Sequence, residues 1–227
     1  MSNMKDTAII MPVFNEVKTL EKVLAKVLTL EPREIIIVDD GSTDGTRDLL
    51  KGINDTRCKI VFHSENKGKG AAIITAMQYV SAPIVTIQDA DLEYNPDELK
   101  DLAAPIMQNK AEVVYGSRFL KPAMKNIYIR YRLGNWFLSK LISVLFRTEI
   151  TDSYTCYKVF KTSVLKELDL KSRRFEIEAE FTVKILKKGI KILEIPIDYN
   201  PRRLEEGKKI GWLDGIKGII TIFKYSL

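Results

Sequence analysis

The feature that most constrains the fold is a regular alternation of short apolar runs with stretches of helical periodicity in the first half of the chain. Between the apolar runs, apolar residues recur at helical spacing, as they do over residues 20–28. Such alternation is typical of an α/β fold with a mainly parallel sheet and helices on both faces. The apolar runs predict strands at residues 7–11, 34–38, 59–62, 84–87 and 112–115.

Length and composition indicate one larger domain with a sizeable core, since the chain has 227 residues and 45% of them are hydrophobic. No uncharged apolar run approaches the roughly 18–20 residues of a membrane-spanning helix. The polar residues 1–6 do not resemble a signal peptide. We therefore expect a cytoplasmic protein that is soluble or lies on the inner membrane face. Cys58 and Cys156 have no pairing pattern or metal-ligand spacing, which suits a reducing setting.

The charge balance favours anionic partners, since 36 basic residues outnumber 30 acidic ones for a formal net charge of +6. Nucleotides, phosphorylated lipids, an acidic membrane and nucleic acid all fit this balance. A nucleic-acid-binding protein would need clustered base-reading or stacking residues. The cations instead accompany phosphate-sized loops and apolar helices, so we expect no nucleic-acid partner.

The second half of the chain has a different character. Residues 125–147 and 210–227 are apolar stretches interrupted by Lys and Arg, typical either of helices at a membrane interface or of ordinary helices packed on a core. Residues 175–188 predict a helix whose acids, including Glu178 and Glu180, would form a solvated face. We expect one domain overall, with a core over residues 1–200 and a basic loop and amphipathic helix over residues 201–227 packed on it.

Polar side chains follow four of the predicted strands, at residues 12–16, 39–42, 89–93 and 116–118. In parallel α/β sheets, ligands bind beyond the carboxyl ends of the strands. The triplet Asp89-Ala90-Asp91 is the most informative of these segments, because two carboxylates brought together by a bend attract a hard divalent cation, which in turn holds phosphates. His63 ends a strand and is expected to be structural. Gly68-Lys69-Gly70 lacks the third glycine of a dinucleotide fingerprint.

Taken in order, these motifs resemble the inverting family 2 glycosyltransferases of GT-A fold, and in particular the dolichyl- or polyprenyl-phosphate mannosyltransferases. The resemblance covers nearly the whole chain and implies a nucleotide-sugar-binding, Rossmann-like fold with amphipathic helices in its second half. It rests on residues 11–16 (MPVFNE), 38–46 (VDDGSTDGT), 89–92 (DADL), 116–118 (GSR), 152–160 (DSYTCYKVF) and 195–197 (IPI).

The resemblance also implies roles for single residues. The family often has Tyr at position 14 and Gln at position 93, where this chain has Phe14 and Glu93. The implied nucleotide-sugar contacts are Pro12, Phe14, Glu16, Val38, Asp40, Asp89 and Ala90. A Mg²⁺ or Mn²⁺ ion would bind Asp91 together with the diphosphate, with Asp89 and Glu93 as further contacts. Arg118 would face the sugar or the acceptor phosphate, and the acceptor or diphosphate would be clamped by Arg202, Arg203, Lys208 and Lys209.

The chemistry of the acceptor separates two predictions. A lipid phosphate is already anionic and needs cations to hold it, whereas a sugar hydroxyl needs a general base, for which Glu180 is the candidate. Cations outnumber candidate bases, so the first prediction is transfer of a hexose from GDP-mannose or a UDP-sugar to polyprenyl phosphate at the cytoplasmic membrane face. The alternative is a family 2 enzyme with a saccharide hydroxyl acceptor in glycan or cell-envelope synthesis. A non-catalytic nucleotide-sugar sensor also stays open, although intact Asp91 and Arg118 argue against it.

Overall fold

The structure is a computed structural model that describes residues 4–121, 129–202 and 211–227, without the side chains of Ile129, Arg130 and Trp212. Within these residues the strands are β1 Thr7–Val13, β2 Glu34–Asp39, β3 Cys58–Phe62, β4 Ile84–Ile87, β5 Val113–Ser117, β6 Lys158–Lys161 and β7 Ile192–Pro196. The helices are α1 Leu20–Thr29, α2 Thr46–Lys51, α3 Lys69–Met77, α4 Leu99–Met107, α5 Ile129–Phe146, α6 Thr162–Lys166, α7 Ile177–Lys187 and α8 Trp212–Ser226. Short 3₁₀ helices cover Met4–Asp6 and Pro96–Glu98.

The seven strands described form one sheet in the order β3-β2-β1-β4-β6-β5-β7. All neighbours are parallel except β6, which runs antiparallel to β4 and β5. The predicted α/β class and the five predicted strands are confirmed. The sequence did not predict β6 or β7; β6 has only four residues, begins and ends with lysine, and carries little of the apolar pattern that identifies a strand.

Alternating residues of the central strands point into two apolar layers. Ile9 and Ile35 pack with α1 and α4 on one face, and Ile10 and Ile36 pack with α3 and α7 on the other. A third apolar cluster joins α5, α7 and α8, with Leu138, Ile142, Ala179, Val183 and Ile222 at its centre. Helices α5 and α8 therefore form an extra layer outside α7. The expected boundary at residue 200 stays a prediction.

The prediction that the acids of α7 form a solvated face is wrong. Glu178 and Glu180 are 2% and 0% exposed. Phe181 faces the sheet while Val183 faces α5 and α8, so α7 is covered on both sides. Buried carboxylates are retained only when they are paired, and each of these two has a lysine partner.

Helices α5 and α8 combine a packed face with an exposed apolar face. Leu138 and Ile222 are buried, as the ordinary packing interpretation expects, but Trp136 and Ile220 are 61% and 60% exposed. No helix in the described part of the chain is long and apolar enough to cross a membrane.

Candidate active site at the carboxyl edge of the sheet

The structure brings the four polar strand ends together around one cavity of about 940 Å³. Helix α5 and the start of α8 close the opposite side of this cavity. The strand ends contribute Pro12, Phe14, Glu16, Asp40, Asp89, Ala90, Asp91, Glu93 and Arg118 to its lining. Val38 is the exception among the expected nucleotide contacts, because its side chain points from β2 into the core beside α3.

Asp40 anchors the loop between β3 and α3. Its Oδ1 accepts a hydrogen bond from the Lys67 backbone N–H at 2.9 Å and lies 2.7 Å from His63 Nδ1. Its Oδ2 accepts from the Gly68 N–H at 2.7 Å. Gly68 has φ +98°, and a Cβ there would lie 2.4 Å from the Arg173 carbonyl oxygen, so only glycine fits. His63 is therefore a buried structural residue, as expected.

The loop after β1 is fixed by the loop after β2. The Glu16 backbone N–H donates to Thr46 Oγ1 at 2.8 Å, and the Asn15 N–H donates to Ser42 Oγ at 2.9 Å. Asn15 adopts a left-handed conformation with φ 54°, which asparagine tolerates. This turn places the Glu16 carboxylate in the cavity, where its Oε2 accepts from Arg202 Nη2 at 2.6 Å.

The two aspartates after β4 have different cationic partners. Lys69 Nζ lies 2.9 Å from Asp89 Oδ1, whereas Asp91 Oδ2 lies 3.5 Å from Arg202 Nη2. The chain bends over residues 90–94, just past the strand as expected, and Leu92 within this bend has a left-handed φ of 62°. Both carboxylates line the cavity, but Asp91 is the one that faces Arg202.

Glu93 secures the segment that carries Arg202. Its Oε2 accepts from the Tyr199 hydroxyl at 2.8 Å, and its Oε1 accepts from the Arg202 backbone N–H at 2.9 Å. Both oxygens of Glu93 are therefore engaged in holding this segment. Of the expected acceptor cations, Arg202 is described, while Arg203, Lys208 and Lys209 lie outside the described residues.

The donor set of the cavity fits a hard divalent cation that shares its ligands with a substrate. In the described residues, no group of three or more His, Cys, Asp or Glu side chains is arranged to hold a metal alone. Mg²⁺ commonly uses one or two carboxylates and completes its shell with phosphate oxygens and water. Asp91, with 20% of its side chain exposed, offers such a carboxylate, and the approach of Arg202 indicates that this position attracts positive charge.

Arg118 is held rigidly in the cavity wall. Its Nε and Nη2 donate to the two Asp152 oxygens at 2.7 and 2.8 Å, a bidentate arrangement. Burial lowers the pKa of Arg118, but Asp152 raises it more, so the net pKa lies well above its ordinary value and the guanidinium stays charged. Asn135 of α5 also donates to Asp152, at 3.0 Å, and Arg118 lies over the Tyr199 ring.

The structure does not place Glu180 at the cavity, which corrects its assignment as a candidate general base. Its carboxylate accepts from the backbone N–H groups of Lys171 and Ser172 at 3.0 and 2.7 Å, and it pairs with Lys184 at 2.6 Å. The acid fixes the loop before α7 because that loop would otherwise leave buried N–H groups without partners.

Several cavity residues were missed by sequence reasoning. Lys69 lies between Gly68 and Gly70, and only the spacing of these glycines carries a recognisable sequence signal. Tyr94, Tyr199 and Cys156 line the cavity from distant parts of the chain, and the rings of Tyr94 and Tyr199 lie 5.1 Å apart. Their proximity depends on the placement of β6 and β7, which local sequence patterns do not give.

Comparisons with known proteins identify the family of the chain. The model of the family described as "Glycosyl transferase family 2" matches residues 8–169, more than half of the chain. The chain belongs to this family. The family match confirms the prediction of a nucleotide-sugar glycosyltransferase.

Three relatives that match over most of this chain are named for lipid phosphates. A UDP-N-acetylglucosamine–dolichyl-phosphate N-acetylglucosaminyltransferase of Methanococcus voltae is 31% identical over 83% of this chain and 83% of its own length. An undecaprenyl-phosphate mannosyltransferase of Micrococcus luteus is 24% identical over 96% of this chain and 93% of its own. A dolichol-phosphate mannosyltransferase of Pyrococcus furiosus is 27% identical over 96% of this chain, which spans 61% of that protein.

Solved structures confirm the GT-A fold. Glucosyl-3-phosphoglycerate synthase of Mycobacterium tuberculosis, in complex with Mn²⁺, UDP and glucosyl-3-phosphoglycerate, superposes with a TM-score of 0.72 at 18% identity. The match covers 97% of this chain and 79% of that structure. Mannosyl-3-phosphoglycerate synthase of Rubrobacter xylanophilus gives a TM-score of 0.71 at 14% identity, covering 96% of this chain and 72% of that one.

Proposed function

We propose that this family 2 glycosyltransferase moves a hexose from a nucleoside-diphosphate sugar, GDP-mannose or a UDP-sugar, to a polyprenyl phosphate at the cytoplasmic face of a membrane. The observation that carries the proposal is that the carboxylates lining the cavity already have hydrogen-bond or ionic partners. Among the described residues, every one of them already accepts from a cation or an N–H group: Glu16, Asp40, Asp89, Asp91, Glu93 and Asp214.

This arrangement suits an acceptor that needs no general base. A sugar hydroxyl must lose its proton to a base within hydrogen-bond reach, whereas each of these carboxylates is already bonded to a cation or an N–H group. A phosphate oxygen is already anionic and needs cations at fixed positions. Arg118 and Arg202 provide two such cations in one cavity.

The reaction would be a single displacement that inverts the anomeric carbon. A phosphate oxygen of the acceptor forms a bond to the anomeric carbon while the bond from that carbon to the diphosphate oxygen breaks, and the electron pair leaves with the nucleoside diphosphate. Arg118 and Arg202 hold the anionic groups in line, so the protein acts by positioning and electrostatic stabilisation. A divalent cation bound at Asp91, Mg²⁺ or Mn²⁺, would neutralise charge on the departing diphosphate.

The distribution of exposed apolar side chains supports a membrane-bound acceptor. Of the fourteen large hydrophobic residues exposed in the described part of the chain, ten lie on α5, on α8 or at the terminal Leu227. These two helices also line the cavity, through Gly134 and Asn135 on α5 and Asp214 and Gly215 on α8. A polyprenyl tail that stays in the membrane beside them could therefore present its phosphate to Arg118.

The names of the relatives support the same acceptor class, since the proteins from Methanococcus voltae, Micrococcus luteus and Pyrococcus furiosus are each named for a dolichyl or undecaprenyl phosphate. The donor is less narrowly supported. One of these relatives is named for UDP-N-acetylglucosamine and two for mannosyl transfer. GDP-mannose and UDP-sugars therefore both need to be tested as donors.

The test is a thermal-unfolding panel of UDP- and GDP-sugars with and without Mn²⁺, followed by transfer assays with the donor that stabilises the protein. A specific donor at 100 times its dissociation constant should stabilise the fold by about 2.7 kcal/mol. We expect one donor class to stand out, with a larger shift when Mn²⁺ is present. No metal-dependent shift with any donor would contradict the proposal, and transfer only to a soluble saccharide would favour the hydroxyl-acceptor alternative.

A further inference from the structure

A line of alternating charges runs from the cavity into the protein interior. It begins at Asp89 and continues through Lys69 and Glu178 to Lys158. Lys69 Nζ lies 3.3 Å from Glu178 Oε1, and Lys158 Nζ donates to Glu178 Oε2. The side chains of Lys69, Glu178 and Lys158 are 9%, 3% and 0% exposed, so water screens these charges poorly.

Lys69 meets both oxygens of Asp89. Its Nζ lies 2.9 Å from Oδ1 and 3.0 Å from Oδ2, and it also donates to Cys156 Sγ at 3.0 Å. The contact with Glu178 Oε1 is an ion pair, and the hydrogen bonds from Lys69 Nζ go to Asp89 and Cys156. Asp89 receives the shorter of the two ion-pair contacts of Lys69 and is the cavity carboxylate whose charge this lysine balances.

Three parts of the chain fix the position of Lys69. It is the first residue of α3, directly after Gly68, whose N–H is held by Asp40. Glu178 approaches from α7. Lys158 holds Glu178 from β6 and donates to the carbonyl oxygens of Ser153 and Thr155 at 3.1 and 2.5 Å, which secures the loop that carries Cys156.

We propose that Lys69 is a positioning residue that occupies the Asp89 carboxylate, so that a divalent cation is left to Asp91. This inference rests on the proposed function, because it assumes a cation bound with the diphosphate. In the described part of the chain Asp91 has no lysine partner, and it faces the guanidinium of Arg202, 3.5 Å away. The consequence is a division of labour in the Asp89-Ala90-Asp91 triplet, with Asp89 fixed as part of the cavity wall.

The proposal predicts that loss of Lys69 changes metal binding itself. Lys69→Met frees a second carboxylate beside Asp91 and removes a nearby positive charge, and both changes favour a cation. We expect Mn²⁺ to bind Lys69→Met roughly tenfold more tightly than the wild type in the absence of nucleotide. Lys69→Arg keeps the charge and should bind Mn²⁺ like the wild type.

The experiment is a titration with Mn²⁺ alone, read by the electron paramagnetic resonance signal of the free ion, with circular dichroism and a thermal melt to verify folding. Asp89→Asn provides a second approach that keeps Lys69. If Asp89 is reserved by Lys69, Asp89→Asn should change Mn²⁺ affinity by less than roughly threefold, whereas Asp91→Asn should abolish most binding. The double variant Lys69→Met/Asp89→Asn should lose the tighter binding of Lys69→Met.

The outcomes separate this inference from the proposed function. Mn²⁺ binding by the wild type without tightening in Lys69→Met overturns the role of Lys69 alone, as does an Asp89→Asn variant that binds Mn²⁺ as poorly as Asp91→Asn. The second result decides the question even where Lys69→Met does not fold. Absence of Mn²⁺ binding in all variants, both without nucleotide and with UDP or GDP added, removes the cation from the proposed function and the role of Lys69 with it.

Discussion

The cavity wall and the outer face of α5 and α8 depart from ordinary protein surfaces in opposite ways. At the cavity wall and directly behind it, charged side chains such as Lys69, Glu178 and Asp152 are withdrawn from water and paired. On the outer helices, Trp136 and Ile220 remain largely exposed. A buried charge costs stability unless it is paired, and a cluster of exposed apolar groups marks an interaction surface. The contrast matches a substrate with a charged head and an apolar tail.

The largest loss of stability is expected when Arg118 in the cavity wall is replaced. Asp152 is fully buried, so Arg118→Met would leave an unpaired carboxylate in the interior. Removing one partner of such a pair costs about 3–5 kcal/mol. Urea unfolding should show this loss, whereas the control Arg33→Met, at an exposed arginine, should change stability by less than about 0.5 kcal/mol. Equal losses in the two variants would mean that the Arg118–Asp152 pair does not stabilise the cavity.

The outer face can be tested by making it polar. Serine in place of Ile216, Ile220 and Phe223, all exposed on α8, should weaken binding to anionic phospholipid vesicles by at least roughly 30-fold, since each side chain contributes about 1.5–3 kcal/mol on full burial. Vesicle sedimentation measures the change. The matched control is serine in place of Phe62, Tyr79 and Leu193, which are exposed elsewhere. A similar loss in the control would remove the distinction between the two surfaces.

A smaller and pH-dependent effect is expected at Glu180. Burial raises the pKa of its carboxyl, but hydrogen bonds from Lys184 and Ser172 lower it more, so the net pKa lies below its ordinary value. Its stabilisation is therefore complete above the ordinary glutamate range and is lost as pH falls through the lowered pKa. Glu180→Gln should cost about 1–3 kcal/mol near neutral pH.

Urea unfolding at about pH 7 and about pH 3.5 checks the sign at Glu180, because the difference between wild type and Glu180→Gln should shrink in acid. Glu21→Gln, at an exposed glutamate of α1, is the control and should show little change at either pH. A difference that grows on acidification would contradict the pKa direction assigned to Glu180.

Local sequence patterns predict the residues that line the cavity better than they predict the buried residues that hold that lining in place. Polar residues after β1, β2, β4 and β5 meet because the carboxyl ends of neighbouring parallel strands share one edge of the sheet, so Pro12, Asp40 and Asp91 could be placed from local patterns. Glu178 and Glu180 were misplaced because helical periodicity does not tell whether a second layer of helices covers an acidic face. The burial of α7 depends on α5 and α8, which are distant from it in sequence.

Lys69 and Tyr199 show a second limit. Lys69 is separated by 87 residues from Cys156 and by 20 from Asp89, so its partners become visible only after the sheet is assembled. Tyr199 reaches Glu93 across 106 residues. Residue type at one position carries no signal of such partners, whereas strand and helix periodicity is local and can be read directly.

The central claim is cation-dependent transfer to a lipid phosphate, and the most direct measurement is labelling of polyprenyl phosphate in vesicles from a radioactive donor sugar with Mn²⁺. The wild type and the control Asp101→Asn, at an exposed aspartate of α4, should label the lipid. Asp91→Asn should reduce the rate by at least about 100-fold. Near-normal labelling by Asp91→Asn, or labelling of a water-soluble saccharide in place of the lipid, would contradict the account.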